Sequence, residues 1–454
     1  MTIKTKNNKK NRFLFPLIFA VTVFACLLFM MISACIPQEL IESHGKETAE
    51  YFYEEPLFDI VADELQNFKK DNYADCITAG IAYHMHGENP YTAVIRADYN
   101  REPFENVNES FYDEVQGEKV AKEDYSRYWH GSAAVVRILY LFMSIKEMRY
   151  AMVLTGLVMN LAAVITLVRK RQAAAGIIYA ISFLAVNGVF ALECMEYAFI
   201  FLLLPVSIFA ITDKRIYTDE TKAQLTFMVI GMLTAFFDFL TTETLTFTVP
   251  FVIYYILLQS DRQDSKIKQI RIKDDIILMF RHGIVWGIGY LGMFLIKWML
   301  ATVTLGKDAL MTAVDSAMER VNGEVSLTLE MAGEKANLLQ RIQGILVRNF
   351  GCLYWSNGEI KSGAVVGISI CVLALIALFL YLARKESEDR NKWVVLMLVG
   401  SVPFIRFMIL SNHAYVHYFF TYRCLMTTVF VILYLIYDTT LLSQRCKRIK
   451  GGKR

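Results

Sequence analysis

Charge is scarce in this 454-residue sequence. Asp, Glu, Lys and Arg make up 20% of it, against about a quarter in ordinary soluble proteins. Proline is rarer still, with 8 residues, and Gly-Ser linkers are few, so independent tethered domains are not expected. The 8 cysteines contain no CxxC pair. Cys26, Cys35 and Cys371 fall within apolar runs and Cys446 within a basic tail, so they read as small core residues, not a disulfide framework. There is no GxxxxGK[ST], no GxGxxG after a strand, no GxSxG and no HExxH. ATP-driven transport, nucleotide-sugar chemistry on a Rossmann domain, serine hydrolysis and a zinc-protease site therefore have no support.

Apolar residues fill the space. Hydrophobic residues are 55% of the chain and aromatics 13%, and they gather into runs long enough to cross a bilayer, about 20 residues as a helix. A soluble enzyme, a nucleic-acid-binding protein and a secreted disulfide scaffold are excluded. The expected fold is all-α: a polytopic integral membrane protein with about ten transmembrane helices and additional interfacial amphipathic helices.

The charges set the topology. Lys4, Lys6, Lys9, Lys10 and Arg12 precede an apolar run from Phe13 to Cys35, too long for a signal peptide. The basic flank predicts a signal anchor, residues 1–36, with its N-terminus in the cytoplasm. Gln38 to His130 carries 21 acidic and 8 basic residues, net −13, and reads as the body of a large external loop, 37–146. Further apolar runs follow at about 147–168, 174–192, 195–212, 224–241, 244–259, 276–302, 363–383, 393–411 and 423–442. All the basic clusters (169–171, 214–215, 262–273, 384–385, and the tail 444–454) fall inside if Gly131–Ser144, with Arg137 at its middle, lies at the interface without crossing. The chain then divides into a bundle over 147–302, a second external segment over 303–362, a second bundle over 363–443 and the cytoplasmic tail. Leu57, Ile60, Val61, Leu65 and Phe68 in the first loop, and Met331, Leu338, Ile342, Ile345 and Leu346 in the second, recur near the helical period and predict amphipathic helices.

Polar groups in or beside apolar spans are costly, and their positions point to chemistry. Glu193 and Glu196 stand one turn apart at an external helix end, where hydrated carboxylates are an equally good reading. Asp238 lies deeper, among Phe236, Phe237 and Phe239, and Glu243 belongs to the same short hairpin. Asp71 and Asp75 put two carboxylates one helical turn apart in the first loop. Arg137, Lys297, Arg406 and Arg423 fall near the external face, against the charge bias, and guanidinium or ammonium groups there suit a lipid phosphate. Snorkelling to ordinary lipids is the alternative. Arg127, Tyr128, Trp129 and His130 form an aromatic and cationic cluster before the interfacial segment. Asn412, His413 and His417 lie in an external turn, the two histidines at i,i+4. Both groups suit sugar or phosphate recognition, with loop packing or a membrane-belt role as the alternative. Two histidines are too few for zinc, so no metal site is assigned, although a divalent ion could bridge carboxylates and phosphate.

This layout, with the segment Ser126-Arg127-Tyr128-Trp129-His130-Gly131 continuing through Arg137 and Leu139, resembles the GT-C superfamily of membrane glycosyltransferases. Together with Asp71–Asp75, Phe237–Thr242 and the Asn412–Arg423 turn, it is also similar to a group of polytopic proteins of Gram-positive bacteria. The GT-C resemblance implies a polyprenyl-phosphate-linked sugar as donor and a carboxylate early in the first external loop acting on the acceptor. That carboxylate would be Glu39, Glu42, Asp71 or Asp75. Basic residues near the outer face would hold the lipid phosphate.

The function expected is transfer of a sugar from a polyprenyl phosphate to an external cell-envelope acceptor at the plasma membrane, with both termini cytoplasmic. Asp71 or Asp75 would activate the acceptor and Asp238 or Glu243 would assist, while Arg137, Lys297, Arg406 and Arg423 neutralise the leaving phosphate. The alternatives are a transporter or flippase for a lipid-linked or anionic solute, which would need polar groups at mid-bilayer, and a non-catalytic envelope-assembly protein. The partners implied are a polyprenyl-phosphate sugar or other lipid and the membrane, and no nucleic acid.

Overall fold

A computed structural model describes residues 8–62, 65–87, 89–103, 105–264, 271–306, 309–322, 338–354 and 387–439. The chain begins with α1 (Asn8–Ala34) and α2 (Glu42–Glu54), then strands β1 (Phe58–Ile60) and β2 (Lys69–Asp71), α3 (Asn72–His84) and α4 (Pro90–Arg96). Strand β3 (Asp98–Asn100), α5 (Val107–Val115), β4 (Lys122–Asp124) and α6 (Gly131–Leu139) complete the first loop. The helical body follows: α7 (Ile145–Arg169), α8 (Ala173–Ala185), α9 (Gly188–Ala191), α10 (Met195–Ile211), α11 (Lys214–Tyr217), α12 (Glu220–Phe237), α13 (Leu245–Asp264) and α14 (Ile272–Leu305). Beyond it lie α15 (Ala309–Asn322), α16 (Leu338–Leu353), α17 (Ser387–Gly400), α18 (Val402–Ile409), α19 (Ser411–Val416), α20 (Tyr418–Thr421) and α21 (Met426–Thr439).

Five helical segments among the described residues are long and apolar enough to cross a membrane: Phe13–Ala34, Ile145–Arg169, Ile272–Leu305, Asn391–Ile409 and Tyr418–Asp438. Exposed apolar stripes run along three of them: Phe13, Leu17, Val21, Phe24, Leu28 and Ile32 on α1, Leu154, Val158, Leu161, Ile165 and Val168 on α7, and Phe280, Ile284, Ile288, Leu291 and Leu295 on α14. Stripes of that length cost free energy in water and none in hydrocarbon, so they are compatible with membrane insertion. The expected run 363–383, Met331 and the basic tail lie outside the described residues.

Local chemistry sets the ends of the helices. Asp71 caps α3 by accepting from Ala74 N at 3.0 Å, and Asn106 and Glu109 form a reciprocal capping box on α5. Gly306, at φ 62°, closes α14 in the left-handed conformation that a helix end favours. The run 174–192 does not form one helix. It breaks between α8 and α9 at Asn187, whose φ is 51°. The α12–α14 contact is the closest in the body: a Cβ on Gly231 would stand 2.2 Å from Trp286 O, and one on Gly289 2.2 Å from Met228 O.

Two loop expectations are corrected. The apolar residues from Leu57 to Phe68 do not make an amphipathic helix. Phe58–Ile60 pairs antiparallel with Lys69–Asp71, Phe58 opposite Asp71, and a short 3-10 turn covers Gln66–Phe68. A short apolar run fits either period, and Pro56 just before it disfavours a helical residue 55. The segment after His130 is also not spread on a membrane surface. Gly131, Ser132, Ala133, Ala134, Val136 and Arg137 are buried, with α6 against α1, α3 and α12. Small residues permit that approach: a Cβ on Gly131 would come within 2.4 Å of the Phe236 ring. The first loop thus shares one apolar core with α1, α12 and α14, so it is built into the body of the protein.

Candidate functional site

The β1–β2 hairpin delivers Asp71 to the head of α3, and one turn later Asp75 points at the start of α10. Asp75 is fully committed. Its Oδ2 accepts from Arg149 Nη2 at 2.6 Å and its Oδ1 from Glu196 N at 3.1 Å. The same guanidinium donates to Asn72 Oδ1 at 2.8 Å and Tyr51 OH at 2.9 Å. Asp71 keeps looser partners. Tyr197 OH donates to its Oδ2 at 3.4 Å, and its carboxyl meets that of Glu196. Burial pushes the Asp71 carboxyl from 3.8 up to about 6, the nearby Asp75 charge adds to the rise, and the Ala74 N–H opposes it.

The α12–α13 hairpin supplies a second set of acids. Asp238 ends α12 and accepts from Thr241 N at 3.1 Å and from the Thr241 hydroxyl. Glu243 forms a buried pair with Arg406, with Nε at 2.7 Å and Nη2 at 3.1 Å. Arg406 Nη2 also donates to Leu240 O at 2.7 Å and Thr241 O at 3.1 Å, which fixes Leu240 at a φ of 69°. Glu196 lies in the electrostatic field of Asp71, Asp75 and Asp238 together, so the loop acids and the hairpin acid make one cluster.

The turn from α19 to α21 packs beside the acids, with Phe420 5.3 Å from the Tyr197 ring. His413 and His417 have ring centroids 4.7 Å apart, and His417 stacks on Phe420 at 5.2 Å. Burial, aided by the charges of Arg406 and Arg320, holds His413 well below its ordinary value and His417 at about 4, so both are neutral at pH 7. Arg423 lies 4.9 Å from the Tyr197 ring centroid and donates to Phe419 O and Asn67 O.

Beside the acids a groove of about 340 Å³ runs between α14 and α15. Leu240, Leu291, Phe294, Leu295, Trp298 and Leu410 give it apolar walls, and Arg127, Arg320, Tyr128 and Tyr290 stand along it. The Arg320 guanidinium sits 5.9 Å from the centroid of Tyr128, and Arg127 4.4 Å from that of Tyr125. Leu240 lines this groove while its carbonyl is held by Arg406, so groove and acid hairpin share a residue.

Several expected site residues are elsewhere or are occupied by the protein itself. Arg137 donates to the carbonyls of Ser33, Ile36, Ala82 and Tyr83, and burial lowers it to about 10. Lys297 Nζ donates to Val94 O and Ile95 O at 3.0 and 2.9 Å. Trp129 donates to Met293 O at 2.7 Å. His130, in left-handed conformation with φ 60°, is kept neutral by burial at a value of about 3 and bonds Tyr125 O at 2.7 Å. Asn412 donates to Glu319 O at 3.0 Å. These five hold the framework around the site.

Sequence reasoning did not single out Arg149, Tyr197, Asn67 or Arg320, and it left Glu196 evenly balanced between a functional and a hydrated role. Glu193 is partly exposed and pairs with Lys70 at 3.3 Å, whereas Glu196 is 8% exposed. A cation one turn inside an apolar run was the available signal for Arg149. Among the described residues, no group of three or more His, Cys, Asp or Glu side chains is placed to hold a metal ion. The arrangement defines a helical protein, apolar enough in five helices to enter a membrane, with a buried acid–base cluster beside an apolar groove. Comparison with protein-family models, curated proteins and solved structures gives no match to the chain.

Proposed function

We propose that the chain is a GT-C-like membrane glycosyltransferase. It crosses the plasma membrane about ten times with both termini in the cytoplasm, and it moves a sugar from a polyprenyl phosphate to an acceptor of the cell envelope. The supporting observation is the junction of groove and acids at Leu240. An apolar channel bordered by two guanidinium groups suits a lipid chain ending in a phosphate, and the carboxylates beyond Leu240 suit proton transfer and charge stabilisation at a sugar.

In this reading Arg127 and Arg320 neutralise the lipid phosphate as it leaves, and Arg423 adds a positive charge to the polar wall. Asp75 and Glu243 are neutralised by Arg149 and Arg406, so the acid–base work falls to Asp71, Asp238 and Glu196. A transporter would carry its polar groups at mid-bilayer. Here they come from the first loop, the α12–α13 hairpin and the α19–α21 turn, which share one external face in the expected topology.

The test is transfer of label from undecaprenyl-phosphate [14C]glucose, in membranes holding the wild type, Asp238→Asn or Arg127→Gln/Arg320→Gln. Transfer by the wild type, abolished by Asp238→Asn and weakened about tenfold or more by the double variant, supports the reading. Movement of the intact labelled lipid across the bilayer without transfer supports a flippase instead.

A further inference from the structure

The groove between α14 and α15 holds hydrogen-bond donors that the protein leaves unused. Tyr290 is 6% exposed, yet among the described residues its hydroxyl has no hydrogen-bond partner, and neither has Arg127 Nε. Both residues line the groove. A buried polar atom without a partner is costly and rare in folded proteins.

The polar groups gather around one ring. The Arg127 guanidinium lies 5.7 Å from the Tyr128 ring centroid and the Arg320 guanidinium 5.9 Å from it. Tyr290 joins them through Phe294, whose ring centroid is 6.0 Å from that of Tyr128 and 5.2 Å from that of Tyr290. Tyr290 also stands in the electrostatic field of Glu243 and Asp238, so it marks the part of the groove that meets the acid hairpin. Among the described residues the groove is lined by two guanidinium groups and no carboxylate. Positive charge, a phenol O–H and an unused guanidinium N–H select an anion over an uncharged polyol.

The apolar wall defines what carries the anion. Leu291 and Leu295 line the groove and also belong to the exposed stripe of α14, at 60% and 51% exposure. With α14 spanning a membrane, the groove therefore opens sideways onto hydrocarbon.

We infer that Tyr290 and Arg127 grip one anionic headgroup in this groove, and that the tail of the same lipid leaves it over Leu291 and Leu295 into the bilayer. This rests on the transferase reading for the class of lipid, an isoprenoid phosphate, and adds to it the residue that positions the phosphate. Tyr290 donates its O–H to a phosphate oxygen, and Arg127 donates its Nε–H to the same group. Tyr290 is a positioning residue, and no bond to it forms or breaks. Its hydroxyl sets where the phosphate stops, beside the hairpin of Asp238 and Glu243.

The experiment measures binding of undecaprenyl phosphate and of undecaprenol to the full-length protein in phosphatidylcholine nanodiscs. Tyr290→Phe weakens binding of the phosphate about tenfold and leaves that of the alcohol unchanged. It does not lower the thermal midpoint, because the hydroxyl it removes has no partner among the described residues. Arg127→Lys also weakens the phosphate about tenfold, and the double variant loses less than the product of the two, as groups on one ligand do. Equal losses for phosphate and alcohol, no loss in Tyr290→Phe, or a double variant at the full product overturns the shared grip. With acyl-brominated phosphatidylcholine in the disc, the emission of the groove-lining Trp298, isolated by comparison with Trp298→Phe, is quenched, and undecaprenyl phosphate relieves the quenching. Quenching by aqueous iodide instead overturns the path of the tail. The expected binding pattern without sugar transfer from undecaprenyl-phosphate [14C]glucose supports this site and overturns the transferase reading. A wild type that binds neither lipid overturns both.

Discussion

Arg149 at the head of α7 and Asp75 in the first turn of α3 form an ion pair of 2.6 Å, with side chains 4% and 0% exposed. The pair joins the 37–146 loop to the helical body, because Glu196 N at the start of α10 donates to the same carboxylate. It explains how a loop rich in acids can be built into an apolar core.

Removing one partner leaves a bare buried charge, which costs about 3–5 kcal/mol. Arg149→Met is therefore expected to lower the thermal unfolding midpoint in detergent sharply, and Arg149→Met/Asp75→Leu to recover much of the loss. A single variant as stable as the wild type refutes the bridging role.

Asp71 gives stability a pH dependence of defined sign. Its carboxyl titrates near 3.8 when unfolded and at about 6 when folded, so between those values the folded chain binds the extra proton. The contribution is fully present below about pH 4, declines as pH rises through 6, and is constant above. The midpoint of the wild type, measured relative to Asp71→Asn, should fall over that window. Transferase activity should change the other way and rise through pH 6 as Asp71 takes up its charge. A midpoint difference that is flat from pH 4 to 7 excludes the shift.

The helices were legible because each apolar run is long and ends in charge, so composition alone separates span from loop. The pairing of His413 with His417 followed from i,i+4 spacing. The β1–β2 hairpin was hidden because Phe58, Ile60 and Val61 fit a strand as well as a helix, and only the partner strand decides. Arg149 was hidden by Lys146, which makes both look like ordinary helix-end cations. The four cations singled out for lipid phosphate could be ranked by depth but not by partner. Whether a guanidinium meets a phosphate or, as with Arg137, four carbonyls depends on tertiary contacts that no spacing encodes.

Gly231 and Gly289 were equally silent in the sequence, yet each faces a carbonyl oxygen of the opposite helix at 2.2 Å from where a Cβ would stand. Backbones that close cannot separate without moving α14, which carries one wall of the groove. Gly231→Leu and Gly289→Leu are expected to cost at least about 1–3 kcal/mol and to cut the monodisperse fraction on size exclusion. Gly287, which has nothing within 4 Å of its Cβ position, is the control, and Gly287→Ala should be neutral. Normal yields from both leucine variants refute the close crossing.

Ala317 tests the groove itself. It lines the groove from α15, opposite Leu291 and Phe294 of α14, and is itself exposed, so a larger side chain can be added there without repacking a core. A tryptophan at this position fills much of a 340 Å³ space, next to the guanidinium of Arg320 but without replacing it. Ala317→Trp is therefore expected to reduce co-purified polyprenyl phosphate several-fold by mass spectrometry while ordinary phospholipids stay constant. Met318 is 52% exposed and does not line the groove, so Met318→Trp, with the same aromatic surface on the same helix, should leave the lipid content unchanged. Equal loss in both variants means that lipid binds around α15 non-specifically. No loss in Ala317→Trp means that the groove is not where the chain lies, and the phosphate role of Arg127 and Arg320 falls with it.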